Sequence, residues 1–491
     1  MKRIVNAYAV FVLCAATAIS MPAQTLTTLH SFDGTDGFEP SAPLVQATNG
    51  DFYGTTNDGG ANNAFGTVFR ITATGTLTTL YSFCPQGANC TDGYYPEASG
   101  LVQAANGDLY GTTELGGVVP PDTTPSGTVF RITPGGALTT LYSFGSQQGV
   151  TGAFPFSGLV QATNGDLYGT TVEGSAGGGA GTIFKITPSG ALTTLYTFCA
   201  QVNCADGDDP YAPLVQATNG YFYGTTTIGG AYGSGTVFKI TPSGTLTTLY
   251  NFCAQSGCPD GADSLTGLVQ ATNGDLYGTA YLGGANSNGT VFKITPSGTL
   301  TTLYSFGAKA NGADGFYPAG ALIQATDGNF YGTTSSGGTP CCGGNRYSGT
   351  VFRITPRGTL TTLYNFCAQS ECTDGSGPTA GLVQATNGDF YGTTSAGGAN
   401  NDGTVFRLSV GLGPFVETQT TSGEVGAAVK ILGSDLTGAS SVTFNGTAAM
   451  FTVVSRYLIT TTVPDGASTG KVEVVTPSGT LSSNVPFRVL P

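Results

Sequence analysis

One phrase recurs along most of this chain and limits what it can fold into. Leu-Val-Gln-Ala-Thr-Asn-Gly-Asp-Phe-Tyr-Gly-Thr-Thr begins at Leu44 and returns with small changes at Leu101, Leu159, Leu214, Leu268, Leu322 and Leu382. Successive starts lie 57, 58, 55, 54, 54 and 60 residues apart. Self-similarity at such a period marks an array of equal supersecondary units. After each copy comes a Gly-rich stretch and a version of Gly-Thr-Val-Phe-Lys-Ile-Thr. In the first six copies a Gly-containing turn then leads into Thr-Leu-Thr-Thr-Leu-Tyr-Ser-Phe.

Each copy reads as four strands. In the fifth they are expected over 268–271, 275–279, 289–295 and 299–306. Asn273-Gly274 joins the first two as a hairpin in which both turn residues tolerate positive φ. Pro296-Ser297-Gly298 joins the last two. Four short strands per unit is the pattern of propeller blades, with a β-solenoid as the competing architecture. The ends of the array separate the two. Residues 25–32 copy a fourth strand that has no blade of its own, and the last copy, 382–408, stops after its third strand. The N-terminal strand thus supplies the missing edge and closes a ring, which leaves no unpaired strand. The expected fold is all-β: a seven-bladed β-propeller over 24–410, closed by the N-terminal strand, then a small immunoglobulin-like β-sandwich over 414–491.

The repeat phrase, with Gly-Thr-Val-Phe-Lys-Ile-Thr-Pro-Ser-Gly, resembles the GloVer tandem-repeat family of bacterial exported proteins over nearly all of 25–410. That resemblance implies export and variable C-terminal attachments, and brings no activity or site residues with it. The same rhythm is more loosely similar to NHL-type propellers. Composition shifts after Leu408. Val429-Lys430-Ile431-Leu432-Gly433, Val442-Thr443-Phe444-Asn445-Gly446 and Thr462-Val463-Pro464 lie in a series of short alternating runs separated by Gly and Pro turns. This tail resembles the IPT/TIG domain, which implies a spacer or binding module rather than a catalyst.

Basic Met1-Lys2-Arg3, an apolar run over 8–19 and small residues near Pro22-Ala23-Gln24 read as a signal peptide over 1–23, which points to a secreted or cell-surface protein with no membrane span. Without that segment, 14 basic residues face 29 acidic ones. This balance disfavours nucleic acid and anionic lipid and permits cations or cationic partners.

Ten cysteines remain. Cys84/Cys90, Cys199/Cys204, Cys253/Cys258 and Cys367/Cys372 each follow a fourth strand at one repeat position, and in an exported protein they are expected to be local disulfides. Cys341 and Cys342 are adjacent and unmatched. They bond to each other or pair elsewhere.

The single histidine, His30, stands where the other copies carry Tyr, which excludes multi-His metal sites and argues against ordinary Ser/His/Asp or Cys/His machinery. No catalytic or metal-binding residues are assigned. Asp51 and its equivalents follow the Asn-Gly turn. Asp33, Asp92, Asp206, Asp260, Asp314 and Asp374 form Asp-Gly pairs in the connection before the next copy, with Asp36, Asp208, Asp209 and Asp263 nearby. Carboxylates with backbone carbonyls can hold Ca²⁺, but the spacing matches no EF-hand loop and turn chemistry is the favoured role. No other cofactor is expected.

Strand parity places the connections after strands two and four on one face and the tight turns on the other. The long, variable segments all belong to the first face, where binding usually resides. Candidate binding residues there are Arg346 and Tyr347, of types that dominate binding hot spots, with Asp206, Asp208 and Asp209. The expected function is a non-enzymatic exported binding or surface protein whose partner is an extracellular ligand such as a glycan or surface protein. The alternative is a secreted carbohydrate-active enzyme using loop carboxylates. Against it stand the absence of Trp and the lack of a unique carboxylate pair.

Overall fold

The computed structural model describes residues 24–491 except 62–63, 86–89, 97–99, 119–124, 146–151, 175–179 and 339–347. The proposed signal segment, Cys341, Cys342, Arg346 and Tyr347 therefore lie outside the described residues.

The repeats form seven four-stranded antiparallel sheets, numbered here in chain order. The fifth is typical: Val269–Gln270, Leu276–Ala280, Thr290–Ile294 and Leu300–Ser305. The first strand is only two residues long, shorter than the sequence suggests. Second strands are buried along their whole length, and outer strands are mostly half-buried. Sheets 1 to 6 each come from one continuous stretch. The seventh takes Val383–Gln384, Phe390–Thr394 and Thr404–Ser409 from the end of the array, and Thr25–Ser31 from its start. Thr25 to Ser31 pair antiparallel with Ser409 to Thr404, with a register shift between Thr28 and His30. The other six sheets bulge at the equivalent place, as between Val68 and Phe69. The borrowed strand therefore follows the pattern of the others.

Neighbouring sheets meet face to face through apolar clusters. Tyr53, Phe83, Leu109, Phe130 and Ile132 join sheets 1 and 2. Tyr391, Ala385 and Val405 of sheet 7 pack against Phe52, Phe69 and Ile71 of sheet 1, and the Phe52 and Tyr391 rings stack at 4.1 Å. Close packing explains the glycine of Tyr-Gly-Thr: a Cβ on Gly54 would lie 2.6 Å from Phe69 and 2.7 Å from Leu44. The glutamine of the repeat phrase bonds across the same seams. Gln103 accepts the Thr48 amide at 2.9 Å, and each later sheet repeats the bond until Gln46 of sheet 1 accepts Thr386 of sheet 7, also at 2.9 Å.

Six sheets also pair the last threonine of the second strand with the first of the third, as Thr56 with Thr67 at 2.9 Å. Sheet 5 has Ala280 there, and the buried Thr290 hydroxyl opposite has no partner. Ala280→Thr is therefore expected to stabilise the protein by about 1 kcal/mol through one buried hydrogen bond. Denaturant unfolding checks this, and an unchanged or lowered midpoint would contradict it.

Two further sheets and a short parallel ribbon follow. Val416–Thr418, Ala428–Gly433, Leu458–Thr462 and Phe451–Ser455 make one sheet; Thr447–Ala448, Ser441–Phe444, Val472–Thr476 and Gly479–Ser482 make the other. Ser422–Glu424 pairs parallel with Arg488–Leu490. Val416, Ile431, Leu436, Phe444, Ile459, Val472, Val474 and Phe487 form the shared core. This sandwich touches the repeat sheets on the side of the tight turns. The Phe415 amide donates to the Thr386 carbonyl at 3.0 Å, Gln419 to Gln103 at 3.1 Å, and the Lys430 ammonium to the Ala105 carbonyl at 2.8 Å. Among the described residues no helix is long and apolar enough to cross a membrane.

Candidate functional site

The two faces of the array are built from different chemistry. On the tight-turn face, Gly50 donates to the Ala47 carbonyl at 2.8 Å and Ala47 to the Asp51 carbonyl at 2.9 Å. Only the glycine is left-handed, at φ 87°. Of the two residues read as tolerating positive φ, only the glycine uses it: the loop is a type I turn closed by a glycine bulge. Asn49 is there for its side chain, which accepts from the Asp51 amide at 3.1 Å and donates to Tyr53 Oη at 2.9 Å. Asp51 in turn faces Arg70 at 3.7 Å, and four other sheets have the same kind of ion pair. In sheet 4, where Tyr221 replaces the aspartate, the Lys239 ammonium lies 5.7 Å from the Tyr221 ring centre. These carboxylates are structural.

On the opposite face, Asp-Gly carboxylates staple outer strands to the connections that follow them in six of the seven copies. Asp206 is fully buried and accepts from Tyr196 Oη at 2.8 Å and from the amides of Ala200 and Gln201 at 3.0 and 3.1 Å. Asp314 and Asp374 repeat the arrangement with Tyr304 and Tyr364. With its oxygens taken by donors, Asp206 shapes its loop and does not face a ligand. Burial and the neighbouring carboxylate raise the pKa of each of these tyrosines. In the first copy the equivalent carboxylate is Asp36, not Asp33. His30 replaces the tyrosine and reaches Asp36 Oδ2 at 2.6 Å, while Asp33 accepts from the Thr35 amide and hydroxyl.

The four expected disulfides are present: Cys84–Cys90, Cys199–Cys204, Cys253–Cys258 and Cys367–Cys372. Asp208 lies within ligand reach of Cys199 and Cys204, but their sulfurs are bonded to each other, which leaves no thiolate for a metal. In the loop before sheet 6, Gly307 and Gly312 stand where Cys199 and Cys204 stand before sheet 4. All four take positive φ, so the Asp-centred loop forms with or without a covalent bridge.

A second recurrent feature escaped the sequence reading. One position on this face is left-handed in every copy: Glu39, Tyr95, Phe154, Asp209, Asp263 and Tyr317, at φ 52° to 58°, and Gly377. A non-glycine residue in this region costs roughly 1–2 kcal/mol, so its recurrence marks a constrained display position. The constraint comes from both neighbours. The Tyr95 amide donates to the Phe65 carbonyl of the preceding sheet at 3.0 Å, and the Tyr95 carbonyl accepts the Glu114 amide at 2.9 Å. The only sequence trace is a proline after the position in six copies.

Around these positions lie aromatic rings and half-buried carboxylates. The Tyr281 and Tyr317 rings stack at 5.1 Å, and Phe156 meets Tyr211 edge-on at 5.2 Å. Burial raises the pKa of Glu114 and Asp263. Asp209 is pushed up to about 6 by burial first, and then by the charges of Asp208 and Glu173. Asp208 is itself raised by burial, and it accepts the Asp209 amide at 2.8 Å. Of the candidate binding residues, Asp208 and Asp209 therefore lie together on this face.

Charge is divided between the faces. Among the described residues, the connections on the long-loop face hold 16 acidic residues and one basic one, Lys309. The strands and tight turns of the array hold 6 acidic and 8 basic residues. Nearly all the excess negative charge thus belongs to one face.

The Gloeobacter/Verrucomicrobia repeat model matches residues 15–206, 125–344, 197–404 and 309–449, and the IPT/TIG domain model matches 414–489. No curated protein sequence matches the chain. Among solved structures, the periplasmic gluconolactonase of Pseudomonas aeruginosa is similar at a TM-score of 0.44 and 17% identity, over 75% of this chain and 96% of that one. A putative 6-phosphogluconolactonase from Bacteroides uniformis is similar at 0.41 and 16% identity, over 74% and 98%. Neither similarity carries chemistry across to these residues. The repeats, matched along almost their whole length, place this chain in the Gloeobacter/Verrucomicrobia repeat family, with an IPT/TIG domain at its C-terminal end.

Proposed function

We propose that the seven sheets are the blades of one closed propeller over 24–410, exported from the cell, and that it works as a binding protein whose long-loop face takes a positively charged partner. Closure is supported by the glutamine bond and the aromatic stack that run from sheet 7 to sheet 1 as they run between earlier neighbours. Export is supported by the four disulfides and by the leader read from the sequence. The charge division carries the binding reading. An acidic, aromatic-lined face attracts cations over several ångströms, and exposed Tyr232 with the half-buried tyrosines beside it adds stacking and cation–π surface. The opposite face is unsuited to this role, because its carboxylates are paired with basic residues and the sandwich lies against it.

The test is to present the purified protein with poly-lysine, chitosan, a neutral glucan and a polyanion. Binding to the first two is expected, falling steeply between about 0.05 and 0.5 M salt as the Debye length shrinks. Joint Asp208→Asn and Asp209→Asn substitution is expected to weaken that binding several-fold, whereas Asn273→Ala on the tight-turn face leaves it unchanged. Salt-independent binding to the neutral glucan alone would refute the proposal. A second reading, glycan hydrolysis, draws on one observation: the elevated Asp209 sits beside a carboxylate neighbour, as a general acid does. Turnover of a soluble glycan that Asp209→Asn abolishes would favour it.

A further inference from the structure

The sandwich is seated on the tight-turn face at scattered points, which leave a cleft between the two modules. Beyond the bonds from Phe415, Gln419 and Lys430, the Ser434 hydroxyl meets that of Thr386 at 2.9 Å, and the Tyr457 ring lies against Gly50 of sheet 1. Elsewhere in the seat, Arg488 donates to the Thr218 carbonyl of sheet 4. Beside Arg488, over the first strands of sheets 4 and 5, a cavity of about 360 Å³ remains. The array contributes Val215, Val269 and Ala271 to its walls, and the sandwich contributes Val485 and Pro486. A second pocket of about 230 Å³ adjoins it and shares Gln216, Thr218, Thr421 and Arg488 with it. Apolar walls with a few convergent polar groups are the usual make-up of a small-molecule site.

We propose that this cleft binds a small amphipathic carboxylate, its head at Arg488 and its apolar tail along Val215, Val269 and Val485. Charge sets the sign of the head. Arg70, Arg131, Lys185, Lys293 and Arg407 each face a carboxylate of their own. Among the described residues Arg488 faces none, and no acidic side chain lines the cleft or the adjoining pocket. Arg488 spends one nitrogen on the Thr218 carbonyl, which leaves the rest of its fork of donors for a carboxylate.

A second donor stands beside it. Gln103, Gln161, Gln270 and Gln324, which accept a backbone amide of the preceding sheet, also donate through nitrogen to the carbonyl of their own turn glycine. Gln216 keeps the first bond, from the Thr163 amide at 2.9 Å, and among the described residues makes no second one. Its nitrogen is thus left with free donors, at a residue that lines both pockets together with Arg488. A carboxylate held between Arg488 and Gln216 satisfies both, and a tail in the larger cavity takes apolar wall out of water. Both modules supply the walls, so the ligand is held only while the sandwich is seated. The site is independent of what the long-loop face binds, and its ligand has the opposite charge.

Calorimetric titration of the full-length protein with decanoate, kept below its micelle-forming concentration, tests this, with acetate as the head without the tail. Saturable binding of one decanoate per chain is expected below about 1 mM, and none of acetate. Arg488→Gln should weaken decanoate binding by about tenfold, through the loss of a charge-assisted contact. That variant also removes a bond of the seat, so two others leave Arg488 in place. Gln216→Glu keeps the acceptor for the Thr163 amide and sets a negative charge where the free donor stood. Thr272→Tyr extends an exposed side chain of the cleft wall into the cavity. Both are expected to weaken binding at least as much. The proposal is overturned if decanoate does not bind or binds no better than acetate, or if any of the three variants binds it as the wild type does.

Discussion

A chain lacking residues 24–32 is expected to have no stable folded monomer. Thr25–Ser31 within it supplies the fourth strand of sheet 7, and its pairing runs the length of Thr404–Ser409. Next to it, Phe32 is fully buried in the cluster joining sheets 7 and 1, where Leu29 also packs. At about 2 kcal/mol per buried side chain, Phe32, Leu29 and Leu26 represent roughly 4–6 kcal/mol, comparable with the whole stability of many domains. Removal also bares an edge strand inside a shallow apolar seam, the kind of surface that pairs with other chains. Sedimentation of the truncated protein should show aggregates or dimers. A synthetic peptide of residues 24–33 added during refolding should restore the monomer. A truncated protein that remained monomeric, with an unchanged melting temperature, would mean that the ring is not closed by this strand.

Asp314→Ala is expected to cost about 3 kcal/mol or more. Asp314 is fully buried, and its removal strands three donors: Tyr304 Oη and the amides of Ala308 and Lys309. Each unsatisfied buried donor costs about 1–3 kcal/mol. This loop has no disulfide, so nothing covalent holds it once the carboxylate is gone. Breaking the Cys367–Cys372 bridge by joint alanine substitution is expected to cost less, about 2 kcal/mol, because the bond closes a short loop that Asp374 already shapes. Denaturant midpoints for the two variants settle the order. If the cysteine variant is the weaker protein, the carboxylate is not the organiser of these loops.

The strand pairing was legible in the sequence because period, turn chemistry and the complementary ends each reported on it. Residues 25–32 could be assigned to the last repeat from their likeness to 77–83 alone. Side-chain roles were less legible where one residue type serves two purposes. Asp33 and Asp36 are both followed by glycine, and only the structure shows that His30 reaches the second. Asn49 suggested a backbone role because Asn-Gly favours positive φ, yet its amide works as a bracket between Asp51 and Tyr53. The left-handed display positions were hidden because φ leaves little mark on residue type when neighbouring sheets enforce it. Tyr, Phe, Asp and Glu all occupy them. In the sandwich, Phe451–Ser455 was missed as a strand because it is an edge with mostly exposed side chains and a register shift.

The glutamine bond between neighbouring sheets has a consequence for how such a chain can vary. The same side chain reads the same backbone amide at all seven seams, so nothing in the bond identifies which copy stands beside which. Copies are interchangeable parts. Exchange between near-identical stretches of the gene can then reorder or replace whole copies without disturbing the scaffold, and each exchange redistributes the loops carried on one surface. The bond leaves the identity and order of the copies open to combinatorial change.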